Sequence, residues 1–180
     1  MSISKKLKDI IRRLTGEIPT STLVKRGLKV GSDFNRQQGC YIDPTHCFLI
    51  EIGSNVTFSI RVTVLAHDAS TKKILGYTKI GRVTVGDNVF VGANTTILPG
   101  VQIGNNVIIG AGSVVTHSIP DNMVAAGNPA KMICSLEDYK SKWTTDNRFF
   151  DRSYRFSKAL TAKQIQEMQE ATRDGISFID

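Results

Sequence analysis

VGDNVF-VGANTT-ILPGVQ-IGNNVI-IGAGSV-VTHSIP, the run from Val85 to Pro120, repeats every six residues without a gap. The first position of each hexad holds Val85, Val91, Ile97, Ile103, Ile109 and Val115, all β-branched and apolar, which suits a buried strand position. Four residues on stand Val89, Thr95, Val101, Val107, Ser113 and Ile119, a second column of small or medium side chains. Between them lie Asn88, Asn94, Gly100, Asn106, Gly112 and Ser118, residue types that tolerate the tight or left-handed backbone of a corner. Each hexad therefore reads as a short strand and a turn. One hexad cannot bury its own apolar residues, so such repeats stack into a parallel β-helix. Three hexads make a triangular coil, which places Val85 under Ile103, Val91 under Ile109 and Ile97 under Val115.

Rougher hexads precede this array. They start near Val30, run through Ile42 and Phe48, slip by two residues, and resume at Ile52, Phe58 and Val64. Regularity fails over HDASTKKILGYTK, residues 67–79, and the column returns at Ile80 and Val85. A stacked coil expels such a segment as a loop, and loops of this kind are where function concentrates. After Pro120 the repeats decay through MVAAGNPAKMI, read as the last coil. The organisation expected is an N-terminal amphipathic helix and linker (1–26), a β-helix (27–135, with the loop 67–79), and a helical tail (136–180). In the tail Thr161 and Gln164 form a capping box, Leu160 and Ile165 have staple spacing, and Gly175 suits a helix stop. Trp143, Phe149, Phe150, Tyr154 and Phe156 read as a packed lid rather than a binding surface.

At 180 residues and 41% hydrophobic content the chain can bury a real core, and no apolar run approaches membrane-spanning length. The start, MSISKKLKDIIRRLTG, lacks the features of a secretory signal, so a soluble cytoplasmic protein is expected. Residues 1–16 carry Ile3, Leu7, Ile10, Ile11 and Leu14 on one side with lysines and arginines around the rest. Packing on the body and peripheral contact with a membrane face both remain open for them. Three cysteines, Cys40, Cys47 and Cys134, have no metal spacing and fit free thiols. A net charge of +7 attracts polyanions of many kinds, yet no nucleic-acid-binding motif accompanies it, and nucleic acid is not expected as a partner.

Imidazole is the side chain best suited to take a proton near neutral pH. Of the three histidines, His67 opens the expelled loop, His46 sits in an early coil and His117 lies at a corner of the last regular one. His67 ranks first because its loop breaks the repeat.

The hexads, the loop LAHDAS, the segment ILPGVQIGNNVIIGAGSVVTHSIP and the closing AAGNPAK together resemble the hexapeptide-repeat acyltransferases, in particular sugar O-acetyltransferases of the galactoside, maltose and capsular-polysaccharide type. The resemblance covers residues 30–135. It implies an all-β left-handed parallel β-helix, a homotrimer, an active site between neighbouring subunits, and acetyl-CoA as donor, with no metal. His67 would be the general base for a sugar hydroxyl, acting by direct transfer, with backbone N–H groups stabilising the oxyanion. Asp68 or a backbone carbonyl would orient its ring, and Asp68 counts with the acceptor side of the site. Ala93, Gly110, Ala111 and Gly112 match positions along the pantetheine arm, although turn geometry explains the last three equally well. Phe90 matches an aromatic beside the donor, and Thr116, His117 and Lys131 match positions near its nucleotide end.

The family's acceptor-binding Asn has its nearest counterpart in Gln37, a longer amide, and Asp43 is either a second acceptor contact or a turn residue before Pro44. The acceptor expected is a surface-polysaccharide precursor. The alternatives are N-acetylation of a nucleotide-linked amino sugar, a zinc hydratase of the same fold, which needs three converging imidazoles, and an inactive trimeric scaffold.

Overall fold

The computed structural model describes residues 12, 14, 16–144, 149–155 and 159–180. The amphipathic reading of residues 1–16 lies, apart from Arg12, Leu14 and Gly16, outside the described residues, as does Phe156. The chain divides into two units, one ending at Leu136 and the other running over Glu137–Asp180.

The first unit is a three-faced parallel β-helix. The first face stacks Lys29–Val30, Ile50–Ile52, Val83–Val85 and Gln102–Ile103. The second stacks Asn35–Arg36, Thr57–Phe58, Phe90–Val91, Ile108–Ile109 and Met123–Gly127, and the third stacks Tyr41–Ile42, Thr63–Val64, Thr96–Ile97 and Val114–Val115. Val85 lies on Ile103, Val91 on Ile109 and Ile97 on Val115, the register that a period of six demands. Ile52, Phe58 and Val64 continue the same columns downward. Val64, Val91, Ile97, Ile109 and Val115 are fully buried, because each coil roofs the one before it.

The corners follow from side chains that accept a left-handed backbone. Asn88, Asn94, Gly100, Asn106 and Gly112 all have positive φ, and Asn55 and Asn122 join them. Along the corner between the first and second faces the asparagine amides form a ladder: Asn55 donates to Asn88 (2.8 Å), Asn88 to Asn106 (3.1 Å) and Asn106 to Asn122 (2.9 Å). Beside it Asp87 Oδ1 accepts from Ser54 N–H at 2.6 Å, and Asp121 Oδ1 from Asn105 N–H at 2.8 Å. The acceptors fill the space where a side chain on the preceding glycine would go; a Cβ on Gly53 would sit 2.4 Å from Asp87 Oδ1. The recurring Gly-Asp/Asn-Asn triplet is thus the hydrogen-bonding unit of that corner.

Four expectations need correction. Phe48 is exposed and belongs to a 3-10 turn, Cys47–Leu49, not to a column; that turn is an insertion, since Val30 pairs with Ile52 after 22 residues rather than 18. Ile80 is also exposed, because it pairs with His67 at the base of the loop, and the column resumes at Val83. Ser118 has no positive φ, and Ile119 bridges Ile103, because the last coil is two residues short. Finally, MVAAGNPAKMI is not a plain coil: Met123–Gly127 extends the second face and then pairs antiparallel with Ala130–Ser135 in a hairpin that closes the stack.

The other end of the stack is closed by a short helix, Thr20–Lys25, whose Leu23 is fully buried, and by Arg36, which occupies a column position. A cation is tolerated there because its guanidinium donates to the Ile18 carbonyl at 2.9 Å and to the Cys40 carbonyl, with Glu17 at 3.7 Å.

In the second unit Phe149–Phe150 pairs with Phe178–Ile179, and Phe178 stacks on Phe149 (centroids 5.2 Å) and lies edge-on to Trp143 (5.9 Å). The helix Ala162–Ala171 carries the expected capping box of Thr161 and Gln164. It ends on Thr172, whose hydroxyl donates to the Met168 carbonyl, three residues before Gly175, which therefore is not the stop. Among the described residues no helix is long and apolar enough to cross a membrane.

Candidate active site

Both insertions into the six-residue period fall at one corner, after the third-face strands that end at Ile42 and Val64. The lower coil bulges through residues 43–49 and the one above expels 67–80, so their side chains meet. Ala66 and Gly81 close the neck of the loop, with Gly81 N–H donating to the Ala66 carbonyl at 3.0 Å. At that neck stands His67, pinned by the antiparallel pairing of His67–Asp68 with Lys79–Ile80.

Asp43 is the centre of the cluster and is wholly buried. Its Oδ1 accepts from Thr45 N–H (3.0 Å), the Thr45 hydroxyl (2.8 Å) and His46 N–H (3.2 Å). Its Oδ2 accepts from Ala66 N–H (3.2 Å) and faces His67 Nδ1 at 2.5 Å. Burial pushes this carboxyl's pKa up, but the hydrogen bonds from His67, Thr45 and Ala66 outweigh it and hold the pKa at about 2. An ionised carboxylate only accepts, so the proton between it and His67 sits on Nδ1, and Nε2 carries a free lone pair. His67 keeps 32% of its side chain exposed. A buried carboxylate, an oriented imidazole and an open Nε2 are the parts that general-base chemistry needs.

Two expectations change here. Asp43 cannot contact an acceptor, because both oxygens are committed and none of its surface is exposed. It is instead the group that orients His67. Asp68 does not orient the ring; its carboxylate pairs with Lys79 (2.7 Å) and caps Ser70 N–H (2.8 Å), which lowers its pKa to about 2. His46, given no role by sequence, lies with its ring centroid 4.8 Å from that of His67. Asp43, His46 and His67 are also the group among the described residues that could hold a metal ion, their ligand atoms lying within 4.8 Å of one another. Asp43 fits that use poorly, since every donor around it already fills its lone pairs. His117 lies two coils along the same edge, on the order of 10 Å away at the usual strand spacing, so within one chain the three imidazoles that a zinc hydratase needs do not converge. Its Nδ1 is 2.8 Å from Thr116 Oγ1.

The remaining candidates gather elsewhere in the chain. Gly112 N–H donates to the Ala93 carbonyl at 2.7 Å, and Gly110, Ala111 and Gly112 turn the corner between the second and third faces directly above Ala93. A Cβ on Gly110 would lie 2.7 Å from that of Ala126, which pairs with Lys131 in the closing hairpin, so Lys131 stands at the same corner. Gly112 has φ of +70° and no neighbour within 4 Å of a Cβ, which leaves its backbone open to an approaching ligand. Phe90 is half exposed on the second face. Gln37 begins the same corner in the lowest coil and binds Asn35 at 3.0 Å. Within one chain the width of the third face, on the order of 15 Å for its few extended residues, separates these groups from His67.

The family model of the bacterial transferase hexapeptide (six repeats) matches residues 82–117. Protein CapG of Staphylococcus aureus is 48% identical over 99 residues, which are 53% of this chain and 58% of CapG. A maltose O-acetyltransferase structure from Clostridium difficile 630 is 32% identical, with a TM-score of 0.51, covering 63% of this chain and 72% of that one. The chain belongs to the hexapeptide-repeat transferases. A galactoside acetyltransferase in complex with coenzyme A is a further structural relative of this hexapeptide transferase, at 32% identity and TM-score 0.50, covering 62% of each chain. The chain spans little more than half the length of CapG. The family likeness also gives the coil its left hand.

Proposed function

We infer that this protein transfers an acetyl group from acetyl-CoA to a sugar hydroxyl, with His67 as general base and Asp43 as its orienting carboxylate. The observation that carries the reading is the Asp43–His67 contact at 2.5 Å, which leaves Nε2 unprotonated at an open corner. Acetyl-CoA, when bound, supplies a thioester carbonyl for the acceptor oxygen to attack. His67 Nε2 takes the acceptor's hydroxyl proton as the new ester bond forms and returns it to the departing thiolate sulfur, and Asp43 holds the imidazolium in place between those steps. The names of the relatives, a maltose O-acetyltransferase and a galactoside acetyltransferase, support a sugar acceptor.

The open corner of Ala93, Gly110, Ala111 and Gly112 fits a pantetheine arm, with Lys131 suited to a phosphate and Phe90 to an aromatic contact. Because the His67 edge and this corner sit on opposite sides of the third face, the reading requires a neighbouring subunit, one lending His67 and the other the donor groove, and the family likeness supports a homotrimer as that assembly. Free Cys40, Cys47 and Cys134 support a reducing, cytoplasmic setting. The test is CoA-thiol release from acetyl-CoA with hydroxyl and amino sugars, followed by mass spectrometry of the products. An O-acetyl ester is expected; transfer to amines alone would make the protein an N-acetyltransferase, and no release with any acceptor would leave a scaffold.

A further inference from the structure

His46 has no part in the chemistry above, yet the structure holds it as carefully as it holds His67. Its ring lies 4.8 Å from the His67 ring, inclined by 38°. Its Nδ1 is 2.9 Å from Thr45 Oγ1 and 3.7 Å from Asp43 Oδ2. Thr45 has a single hydroxyl proton, and the ionised Asp43 takes it at 2.8 Å, the stronger of the two bonds open to it. Thr45 Oγ1 must therefore accept from His46, which puts the ring proton on Nδ1. The same carboxylate thus sets both tautomers, directly for His67 and through Thr45 for His46, and both rings present a bare Nε2. Each keeps about a third of its side chain exposed, 29% for His46 and 32% for His67, and each ring's Nδ1 is engaged within the cluster, that of His67 by buried Asp43 and that of His46 by the exposed Thr45. That leaves Nε2 as the ring nitrogen each can offer to a ligand.

We propose that His46 binds a second hydroxyl of the acceptor, beside the one that His67 deprotonates, so that the acceptor class is a vicinal diol. This rests on the acetyltransferase reading and deepens it. Hydroxyls on adjacent ring carbons lie about 3 Å apart, and hydrogen bonds of about 2.8 Å diverging from them reach acceptors on the order of 4–6 Å apart. Two neighbouring imidazoles with free Nε2 atoms match that span, whereas an isolated hydroxyl leaves one nitrogen unanswered. An acceptor-only nitrogen also discriminates: it takes a hydrogen bond from a hydroxyl and offers none to a carboxylate or phosphate, so the contact selects a neutral polyol.

The experiment compares a methyl hexopyranoside with its monodeoxy analogue, lacking the hydroxyl next to the acetylated one, in the wild-type chain and in His46→Ala and His46→Gln. In the wild type the deoxy sugar is expected to lose at least about tenfold in kcat/KM, as sites built to bind a hydroxyl do. In His46→Ala the diol falls by that same factor, chiefly through KM, while the deoxy sugar changes by less than about twofold, so the two losses do not add. His46→Gln, whose side-chain carbonyl can accept, recovers part of the diol preference. Equal losses on both sugars in His46→Ala and His46→Gln, or a wild type indifferent to the neighbouring hydroxyl, overturn the proposal. Either result with His67-dependent O-transfer intact leaves the acetyltransferase reading standing, whereas a wild type that acetylates no hydroxyl overturns both.

Discussion

Replacing Asp43 with Asn keeps the shape of the side chain but removes its negative charge and turns one acceptor oxygen into an NH2 donor. The carboxylate serves five donors: Thr45 N–H, the Thr45 hydroxyl and His46 N–H on Oδ1, and Ala66 N–H and His67 Nδ1–H on Oδ2. An amide has one oxygen, so its NH2 must face one set or the other. Turned toward the Oδ1 side it confronts two backbone N–H groups that cannot change; turned toward the Oδ2 side it confronts only that of Ala66, because His67 can move its proton. The second arrangement wins, and it shifts the ring proton of His67 from Nδ1 to Nε2, removing the base. The orphaned Ala66 N–H costs about 1–3 kcal/mol of stability. The catalytic loss is larger: the same Asp-to-Asn change in a serine-protease triad lowers kcat about 10⁴-fold through the wrong tautomer, equivalent to about 5.4 kcal/mol. Steady-state acetyl transfer, together with nitrogen NMR of the imidazole, measures both halves. Asp43→Asn with transfer within about tenfold of wild type, or with His67 still protonated on Nδ1, would refute the reasoning.

Acid should unfold the protein partly through the same group. Asp43 titrates at about 2 instead of 3.8, so the unfolded chain binds more protons over that interval. Its contribution, about 2 kcal/mol at 1.36 kcal/mol per unit, is full above the unfolded pKa and disappears as pH falls from 3.8 toward 2. Denaturant titrations at successive pH values should show that slope, and Asp43→Asn should flatten it. Asn88 combines a φ of +57° with two amide hydrogen bonds. Asn88→Ala should therefore cost on the order of 2 kcal/mol in urea unfolding and Asn88→Gly measurably less, because glycine relieves the backbone part; equal costs would mean that the ladder alone matters. Ile97 is fully buried between Val64 and Val115, so Ile97→Ala should cost about 2–5 kcal/mol, read as a lowered unfolding midpoint.

The regular coils are legible in the sequence because their physics is local and periodic: a β-branched residue every sixth position and an Asn or Gly at each corner define strand, turn and register together. The period fails where one coil changes length, and Phe48, Ile80 and Ile119 depart from their expected places for that reason. The partner of His67 escapes a local reading because Asp43 precedes Pro44, where an acidic residue is an ordinary turn former, and nothing nearby says that 24 residues later a histidine will lie above it. The signal is nevertheless present. Counting from the columns, both insertions follow third-face strands, at Ile42 and Val64, so residues 43–49 and 65–82 have to share a corner. The proposed donor-side positions need no such count, since Ala93 and Gly110–Gly112 are one coil apart in an unbroken array. That they stand a face away from His67 follows from the same array and makes the proposed site an affair of two subunits.

The central claim is that the Nε2 of His67 takes the acceptor's proton. Its most direct test is acetyl transfer by His67→Ala, with CoA affinity and thermal unfolding measured on the same sample. The account predicts a fall in kcat of about 10²–10⁴, the usual worth of a general base, with CoA binding and folding unchanged. Transfer within about threefold of the wild type would contradict it.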